Sequence, residues 1–560
     1  MKNTTSTRRK SMFLTKIGML AVFSPIFLSL FSACADTEPI DEDDIDPSIN
    51  PPITFVEDDE DENSNEKEVE FPDFGYNDNP LAFPGAEGYG RYVTGARGSG
   101  QREIYKVTNL NSSGSGSFKD AISKDNRIVV FAVAGILDMK KETYVLKSNQ
   151  TILFQTAPGD GLTLFNGRVS GSSAGNVIVR YMRLRQGKGF GEGKDCFGIA
   201  NGGNQIYDHC SFTWGGDETF SVNSDGKGTK PFNITLQNSI IGQGLQNHSA
   251  GGLMQTDLNK GSTIFRNLFI DNKTRNLKVK GLNQYVNNVV YNWGNGSCYD
   301  MGGDSEGNSN TTIVNNYFIK GPGNNWMNIS YDKDFDWESY CAEDPNHRHF
   351  QTFTSDGKSL LIEEFVPVKP SKPISGASGK GVVSTYCVGN YYDHDTNGSL
   401  NGVEITQSNW GEYCSGSPVF LGTPDVIHPI IQNQTSAEEA YKYIVEKVGA
   451  SLPKRDAVDN YLIEELTSLG KLGTILRDQR QEYQYPLANT WQNMDSSNNI
   501  VDTDGDGIPD EFEDKWGLNK KNKYDAVRTA NNGYTNIENY ALSLEFPEIY
   551  EEAYKKWINQ

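Results

Sequence analysis

The chain has 560 residues and a formal net charge of −22 at pH 7, but this charge is unevenly distributed. Residues 35–80 carry eighteen Asp or Glu against one Lys, whereas residues 81–330 carry twenty-five Lys or Arg against eighteen Asp or Glu. The basic part suits an acidic partner, and the absence of any nucleic-acid-binding motif argues against nucleic acid. The seven cysteines include no CxxC pair, which argues against zinc.

Residues 1–33 have the pattern of an export signal. Basic residues precede an apolar stretch from about Ile17 to Phe31, and the sequence Phe31-Ser-Ala-Cys34 follows. Small residues before a cysteine resemble a bacterial lipoprotein signal, which predicts a lipid on Cys34 and membrane contact through that anchor alone. A simple secretory peptide is the alternative. We therefore expect an outer-membrane lipoprotein, exposed at the cell surface, or a secreted protein.

Residues 34–79 form an acidic segment with several prolines, including the runs Asp41–Asp44 and Glu57–Glu62. Such a composition cannot bury a hydrophobic core, so this segment is expected to be a disordered tether.

A repeat begins after this tether. Segments of alternating apolar residues end at positions 181, 209, 238, 267, 288 and 316, in steps of 28, 29, 29, 21 and 28 residues. Short β-branched strands at this period predict a parallel β-helix or a similar solenoid. Asn recurs at positions 238, 267, 288 and 316, where stacked amides would form an internal ladder.

The repeat relates two charged residues. Asp217 follows His209 by eight residues, and Arg275 follows Asn267 by eight. Equal phase on coils about 10 Å apart would place both side chains on one side of the solenoid, with room for one sugar between them. The alternative is that Asp217 and Arg275 are solvated turn residues without a shared function, because such residues would show the same spacing.

Several motifs resemble the pectate lyase superfamily, polysaccharide lyase family 1. They occur in the family's order from about residue 80 to 320 and comprise Phe83–Gly90, Val107–Asn111, Gly116–Ala121, Gln155–Asp160, Asp208–Glu218 and Asn287–Gly294. The resemblance implies a right-handed parallel β-helix. It also implies calcium-assisted β-elimination of polygalacturonate, the uronate polymer of pectin, to 4,5-unsaturated oligogalacturonides.

The same resemblance assigns roles to individual residues. Asp195 and Asp217 match calcium ligands, and Arg275 matches the arginine that removes the C5 proton. Lys280 falls where a second arginine binds a substrate carboxylate, and Lys278 lies in the same basic run. The cofactor implied is Ca²⁺, which as a hard cation would neutralise the uronate and acidify the adjacent C–H group.

The chain departs from the family at three points. Ser221 stands where a further aspartate is common, so Glu218 is the candidate for a compensating calcium ligand. A lysine expected near residues 248–250 is missing, and His248 or a residue of another loop would replace it. Lys280 keeps the charge of an arginine but loses its bidentate geometry.

Beyond the repeat, residues 321–422 are rich in loops and aromatic residues that either wall a groove or are buried. Residues 436–480 have helical periodicity, most clearly Ala437–Lys447, and are expected to cover an end or flank of the solenoid. Disulfides are possible in an exported chain, but six cysteines after Cys34 allow fifteen pairings and none is assigned.

A calcium-binding loop of the EF-hand type follows. Its predicted ligands stand at loop positions 1, 3, 5, 7, 9 and 12, which are Asp502, Asp504, Asp506, the carbonyl of Ile508, Asp510 and Glu513. Because a single loop in an exported protein suits a structural role, we expect it to stabilise the extension rather than to act as a sensor.

We therefore expect an all-β protein, a monomer with four regions: a signal peptide at 1–33, a tether at 34–79, a β-helix at 80–490, and a calcium-binding extension with helices at 491–560. A pectin lyase, or a polygalacturonase using Asp195, Asp208 and Asp217, is one alternative. A surface protein that binds polyuronate without cleaving it is another.

Overall fold

The structure, a computed structural model, describes residues 53–54, 69–75, 79–302, 307–343, 348–376 and 380–559. The predicted signal peptide, Cys34 and most of the predicted tether lie outside these residues. Within the described part of the chain, no helix has both the length and the apolar character needed to cross a membrane.

The chain winds as a parallel β-helix in which a coil contributes one strand to each of three sheets. Sheet 1 contains β2 Glu103–Val107, β3 Arg127–Phe131, β6 Gln150–Leu153, β9 Gly175–Arg180, β12 Gly203–Asp208, β15 Phe232–Gln237, β18 Ser262–Phe265, β20 Lys278–Val286, β23 Ser309–Val314, β29 Val383–Val388 and β33 Val419–Phe420, with β1 Ile53–Thr54 antiparallel to β2.

Sheet 2 contains β4 Gly135–Asp138, β7 Leu162–Phe165, β10 Arg183–Arg185, β13 Ser211–Thr213, β16 Ile240–Gly242, β19 Leu268–Ile270, β21 Val289–Tyr291, β24 Tyr317–Ile319, β30 Asn390–Asp393 and the antiparallel β31 Val403–Ile405. Sheet 3 contains β5 Thr143–Val145, β8 Arg168–Ser170, β11 Phe197–Ile199, β14 Glu218–Val222, β17 Ala250–Gln255, the start of β20, β22 Tyr299–Asp300, β28 Ile374–Gly376 and β32 Ser415–Gly416.

The interior of the solenoid is a continuous apolar core to which all three sheets contribute alternate residues, such as Val179, Leu184 and Phe197. The predicted fold class, a right-handed parallel β-helix with long loops and a small helical extension, is confirmed. The short step of 21 residues in the repeat also has a cause. Strand β20 runs from sheet 3 into sheet 1 without an intervening turn, so this coil needs fewer residues.

An asparagine ladder runs through the interior as predicted, but with different members. The amides of Asn267, Asn288 and Asn316 each donate to the next Oδ1 at 2.8–3.0 Å, and the ladder ends at Asn390. The inclusion of Asn238 was wrong. Gln237 pairs with Phe265, which sets Ser239 rather than Asn238 level with Asn267, and Asn238 instead donates to Asp208.

Helices cover the flanks of the solenoid. Helices α4 Ala437–Lys447 and α5 Ala457–Thr467 pack against the outer face of sheet 2, through Ile444 and Leu462 among others, as predicted for a flank. Helices α6 Asp510–Trp516, α7 Asn536–Glu545 and α8 Pro547–Ile558 form an apolar layer with residues on the outer face of sheet 1.

Long loops follow the central coils. The antiparallel strands β25 Asn324–Asp332, β26 Arg348–Phe353 and β27 Ser359–Pro367 form a separate sheet. The described residues also form three short α-helices, α1 Phe118–Ala121, α2 Trp337–Glu343 and α3 Trp410–Tyr413, and three 3₁₀ helices, at Gly88–Gly90, Gly95–Gly98 and Phe154–Thr156. Trp326 and Trp410 are buried, so these two aromatics are packing residues. Five cysteines of the described residues are free thiols: Cys196, Cys210, Cys298, Cys387 and Cys414.

Candidate active site

The site is assembled at one edge of sheet 3. Asp195 and His248 stand just before β11 and β17, Glu218 is the first residue of β14, and Arg275 stands three residues before β20. Because the starts of neighbouring parallel strands meet at one edge of a sheet, residues far apart in sequence come together there.

The alignment of Asp217 with Arg275 predicted from the repeat was wrong by two residues. Glu218 pairs with Ala250, and Ala250 pairs with Thr274, so Thr274 rather than Arg275 is level with Glu218. Leu253 then pairs with Lys278, which leaves three residues, Arg275–Leu277, opposite the two glycines of β17. Arg275 has a positive φ of 54° in this bulge. An extra residue of this kind changes the direction of a side chain at a functional edge.

From this position Arg275 reaches across the coil that contains His248. Its Nη1 donates to Glu218 Oε1 and lies 3.0 Å from His248 Nε2. The same His248 nitrogen lies 3.2 Å from Asp217 Oδ1 and 3.6 Å from Glu218 Oε1. His248 thus occupies the region where the sequence lacks the expected lysine. The side chains of His248, Asp217 and Arg275 are 29–40% exposed, so a polymer can reach them.

Asp195 lies on the other side of Glu218 and has a partner that the sequence did not indicate. Arg168, in β8, lies 3.6 Å from Asp195 Oδ2. The guanidinium crosses the backbone of Gly198, where an added Cβ would stand 2.3 Å from Nη2. Because Val169 pairs with Phe197, Arg168 lies level with Cys196, the residue after Asp195, and this register comes from the structure.

A buried glutamine joins the two acidic loops. Gln186 Nε2 donates to the carbonyl of Asp195 at 2.8 Å, and Gln186 Oε1 accepts from the backbone of Gly216 at 2.7 Å. This residue therefore holds the spacing between Asp195 and Asp217–Glu218.

The electrostatics of the three carboxylates favour a bound cation. Burial and the nearby Glu218 carboxylate raise the pKa of Asp195 and of Asp217. Burial alone would also raise the pKa of Glu218, but a hydrogen bond from His248 and the charge of Arg275 lower it. Asp217, Glu218 and His248 offer ligand atoms within 4.8 Å of one another. Carboxylate oxygens are the ligands that calcium prefers, so the residues fit this ion.

Lys278 and Lys280 lie further along β20 and are largely buried. Lys278 pairs with Leu253 of β17 and with Asp300 of β22 in the parallel strand register. The Lys280 ammonium donates to the carbonyls of Gly307 and Lys380 at 2.8 and 3.0 Å. In this arrangement Lys280 holds loops together, and its substrate contact stays a prediction.

Asp208 does not join the site. It lies on the outer face of sheet 1 with Ile206, not on the interior face with Tyr207. Its carboxylate is buried beneath the covering layer, where Arg180 donates to Oδ2 at 2.6 Å and His209 Nδ1 lies 2.9 Å away. The three aspartates of the polygalacturonase alternative are therefore not assembled in one groove.

The predicted calcium-binding loop forms a second acidic group. Asp502, Asp504 and Asp506 lie together, and Asp506 also lies with Glu513 and Asp525. Burial and neighbouring carboxylates raise the pKa of Asp506 to about 9 and of Glu513 to about 8. Asp510 is directed elsewhere, since its carboxylate accepts from Thr503 N and Oγ1, both at 2.7 Å. Nothing in the sequence pattern indicated Asp525.

Comparison with known proteins places this geometry in context. No family model matches the chain. Proteins named probable pectate lyase C are similar to it: that of Aspergillus flavus is 40% identical over 466 residues, covering 83% of this chain and 94% of the relative. The protein of Neosartorya fischeri is 41% identical with the same coverage, and that of Emericella nidulans is 40% identical over 477 residues, covering 85% and 95%.

Solved structures match less closely. A pectate lyase of Bacillus sp. N165 in complex with trigalacturonate has a TM-score of 0.38 and 14% identity, covering 65% of this chain and 98% of that one. Pectate lyase C of Erwinia chrysanthemi, at pH 9.5 with 30 mM Ca²⁺, has a TM-score of 0.33 and 12% identity, covering 67% and 99%.

Proposed function

Since this chain belongs to the pectate lyase family and is a polysaccharide lyase, we propose that it cleaves polygalacturonate by β-elimination with calcium held by Asp195, Asp217 and Glu218. The observation that carries this proposal is the contact of Arg275 with Glu218 across the coil of His248. It brings a cation and three carboxylates to one partly exposed edge. When bound, calcium would neutralise the uronate carboxylate and make the C5 proton more acidic.

Arg275 is the proposed base. It takes the proton from C5 of the uronate, the electrons of that bond form the C4–C5 double bond, and the C4–O bond breaks. The departing oxygen takes a proton from water. A guanidinium is normally protonated, so Arg275 must first lose a proton. His248 Nε2, 3.0 Å from Arg275 Nη1, is placed to accept that proton in the neutral tautomer whose Nε2 carries no hydrogen and so does not donate to Glu218.

Substrate carboxylates require further positive groups. Arg168 lies beside Asp195 and is 25% exposed, which makes it more accessible than Lys280. We retain Lys278, Lys280 and His248 as proposed substrate-binding residues. Lys280 becomes available only if it releases the carbonyls of Gly307 and Lys380.

The test follows the ultraviolet absorbance of the 4,5-unsaturated uronate while the protein acts on polygalacturonate. A rise that requires calcium and stops with chelator supports the proposal. A rise unaffected by chelator favours pectin lyase chemistry on methyl-esterified substrate. New reducing ends without absorbance would favour hydrolysis, and binding without either product would favour a polyuronate-binding protein.

We also propose that the protein is exported through residues 1–33 and anchored by a lipid on Cys34, as a monomer. Support comes from the sequence alone, since these residues lie outside the described ones and the relatives named above are fungal. Incorporation of labelled palmitate that is lost in Cys34→Ala would support the anchor. Equal release of both proteins into the medium would instead indicate simple secretion.

A further inference from the structure

The C-terminal extension contains a cluster of five carboxylates outside the active site. Asp502, Asp504 and Asp506 each offer an oxygen within 4.8 Å of the others, and Asp506, Glu513 and Asp525 meet the same limit. Because Asp506 belongs to both groups, the five carboxylates form one connected cluster. They come from three places: the loop, helix α6, and the segment that precedes Ala526.

The second observation is the arrangement of their oxygen atoms. Asp506 Oδ1 accepts from Ile508 N at 2.8 Å and Asp525 Oδ2 accepts from Asn519 N at 2.9 Å. In each case the other oxygen is buried and has no hydrogen-bond partner among the described residues. Glu513 is fully buried and both its oxygens are in this state. Backbone groups thus fix the carboxylates of Asp506 and Asp525 with one oxygen left over on each, and Glu513 leaves both of its oxygens.

Burying several unpaired carboxylate oxygens costs free energy unless a cation compensates them. The donors are all oxygen atoms, which suits a hard divalent ion rather than a soft one. The ligand set of the bound ion must also differ from the one that loop spacing predicts. Asp510 is only half-buried and its carboxylate is bonded to Thr503, whereas Asp525 lies in the cluster.

We propose that Asp502, Asp504, Asp506, Glu513 and Asp525 bind one calcium ion together with the Ile508 carbonyl, and that Asp510 closes the loop without binding metal. The ion then ties the loop and α6 to the chain before Ala526. It also fixes this unit on the solenoid. Lys106 of β2 pairs with Asp502 at 2.7 Å, and an added Cβ at Gly507 would stand 2.7 Å from Val130 of β3.

The test uses the full chain carrying Asp217→Asn and Glu218→Gln, so that calcium binding at the active site is weakened. In this background, calorimetric titration should give one calcium site. Adding Asp525→Asn should raise the calcium Kd at least about tenfold, whereas Asp510→Asn, which keeps an acceptor for Thr503, should change it less than about threefold. Equal effects of the two substitutions, or an unchanged Kd in Asp525→Asn, would overturn the proposal.

If Asp525→Asn folds poorly, a second measurement on the background protein still tests the calcium site. Terbium should bind the same oxygen ligands, and Trp516, three residues beyond Glu513 in α6, should sensitise its emission. Emission excited through tryptophan, and displaced by calcium, is expected in the background protein. No emission, or emission that magnesium displaces better than calcium, would refute the calcium site.

Discussion

Arg275 Nη1 lies 3.0 Å from His248 Nε2 although the two residues are 27 positions apart in the chain. The contact depends on the single extra residue between Thr274 and Lys278, which places Arg275 at a positive φ. Two small residues of the neighbouring strand, Gly251 and Gly252, leave space for the Arg275 backbone. An added Cβ on Gly251 would stand 2.6 Å from the Arg275 carbonyl oxygen.

Substituting Arg275→Ala should lower kcat by about 10²–10⁴-fold, the usual contribution of a general base. The affinity for polygalacturonate should change far less, because calcium and other basic groups still bind carboxylates. Initial rates of unsaturated product and equilibrium binding to the polymer measure the two effects. Lys227→Ala, at an exposed residue, is the matched loss of charge and should keep full activity. Equal activity of the two variants would exclude Arg275 as the base.

His248→Ala should lower kcat by about 10–100-fold, since it removes the proposed proton acceptor but leaves the carboxylates in place. His248→Lys should recover part of this loss, because a lysine can also accept a proton from Arg275 when neutral, and its recovery should grow toward alkaline pH. The measurement is the pH profile of kcat for both variants. A lysine variant as slow as the alanine variant at every pH would contradict this role.

Activity at low calcium should fall as the pH decreases through about 7, where burial and the neighbouring Glu218 place the pKa of Asp195. The sign follows from the raised pKa: below it Asp195 is protonated in the metal-free protein, and protons compete with calcium. Raising the calcium concentration should move the midpoint to lower pH. A midpoint independent of calcium would point to another titrating group.

Arg168→Ala should move that midpoint to higher pH. The charge of Arg168 lowers the pKa of Asp195, so its removal leaves the carboxyl harder to ionise. Gly198→Ala should act in the same direction, because its Cβ would displace the Arg168 guanidinium. Gly422→Ala, at an exposed bend with open space around the Cβ and no positive φ, controls for added volume. Calcium titrations at several pH values would measure the shift, and a shift to lower pH would refute this account.

Asp208→Ala should destabilise the protein by about 3 kcal/mol or more, because it removes the close partner of the buried Arg180. The remaining pair of Arg180 with Glu545 of α7 reduces the loss. Folded protein should keep its kcat, since Asp208 lies outside the site. Urea unfolding measures the stability, with the exposed Asp225→Ala as control. A normal stability with lost activity would reverse the assignment.

Much of the fold could be predicted from residue spacing. The repeat period predicted the solenoid because each coil must return its apolar residues to the same interior. Asn267, Asn288 and Asn316 mark the same position on three successive coils. The helical periodicity of Ala437–Lys447 likewise predicted α4. These features depend on local periodicity, which a single sequence displays.

The site was only partly predictable. Resemblance assigned roles to Asp195, Asp217 and Arg275, and Glu218 was the candidate that compensates for Ser221. Spacing gave the wrong register for Arg275, because one bulge residue changes neither composition nor pattern. Arg168 and Gln186 carry no motif and act through contacts with neighbouring coils.

The sequence by itself therefore determined the coil period, the apolar interior and the candidate residues for calcium and proton transfer. Tertiary structure decided which of them meet: it set His248 beside Arg275, buried Asp208 with Arg180, and brought Asp525 to Glu513 in place of Asp510. The physical reason is the distance along the chain over which each kind of interaction acts. Periodicity records the environment of each residue along one strand, whereas these contacts arise between coils and covering helices, where bulges and packing fix distances that no local pattern encodes.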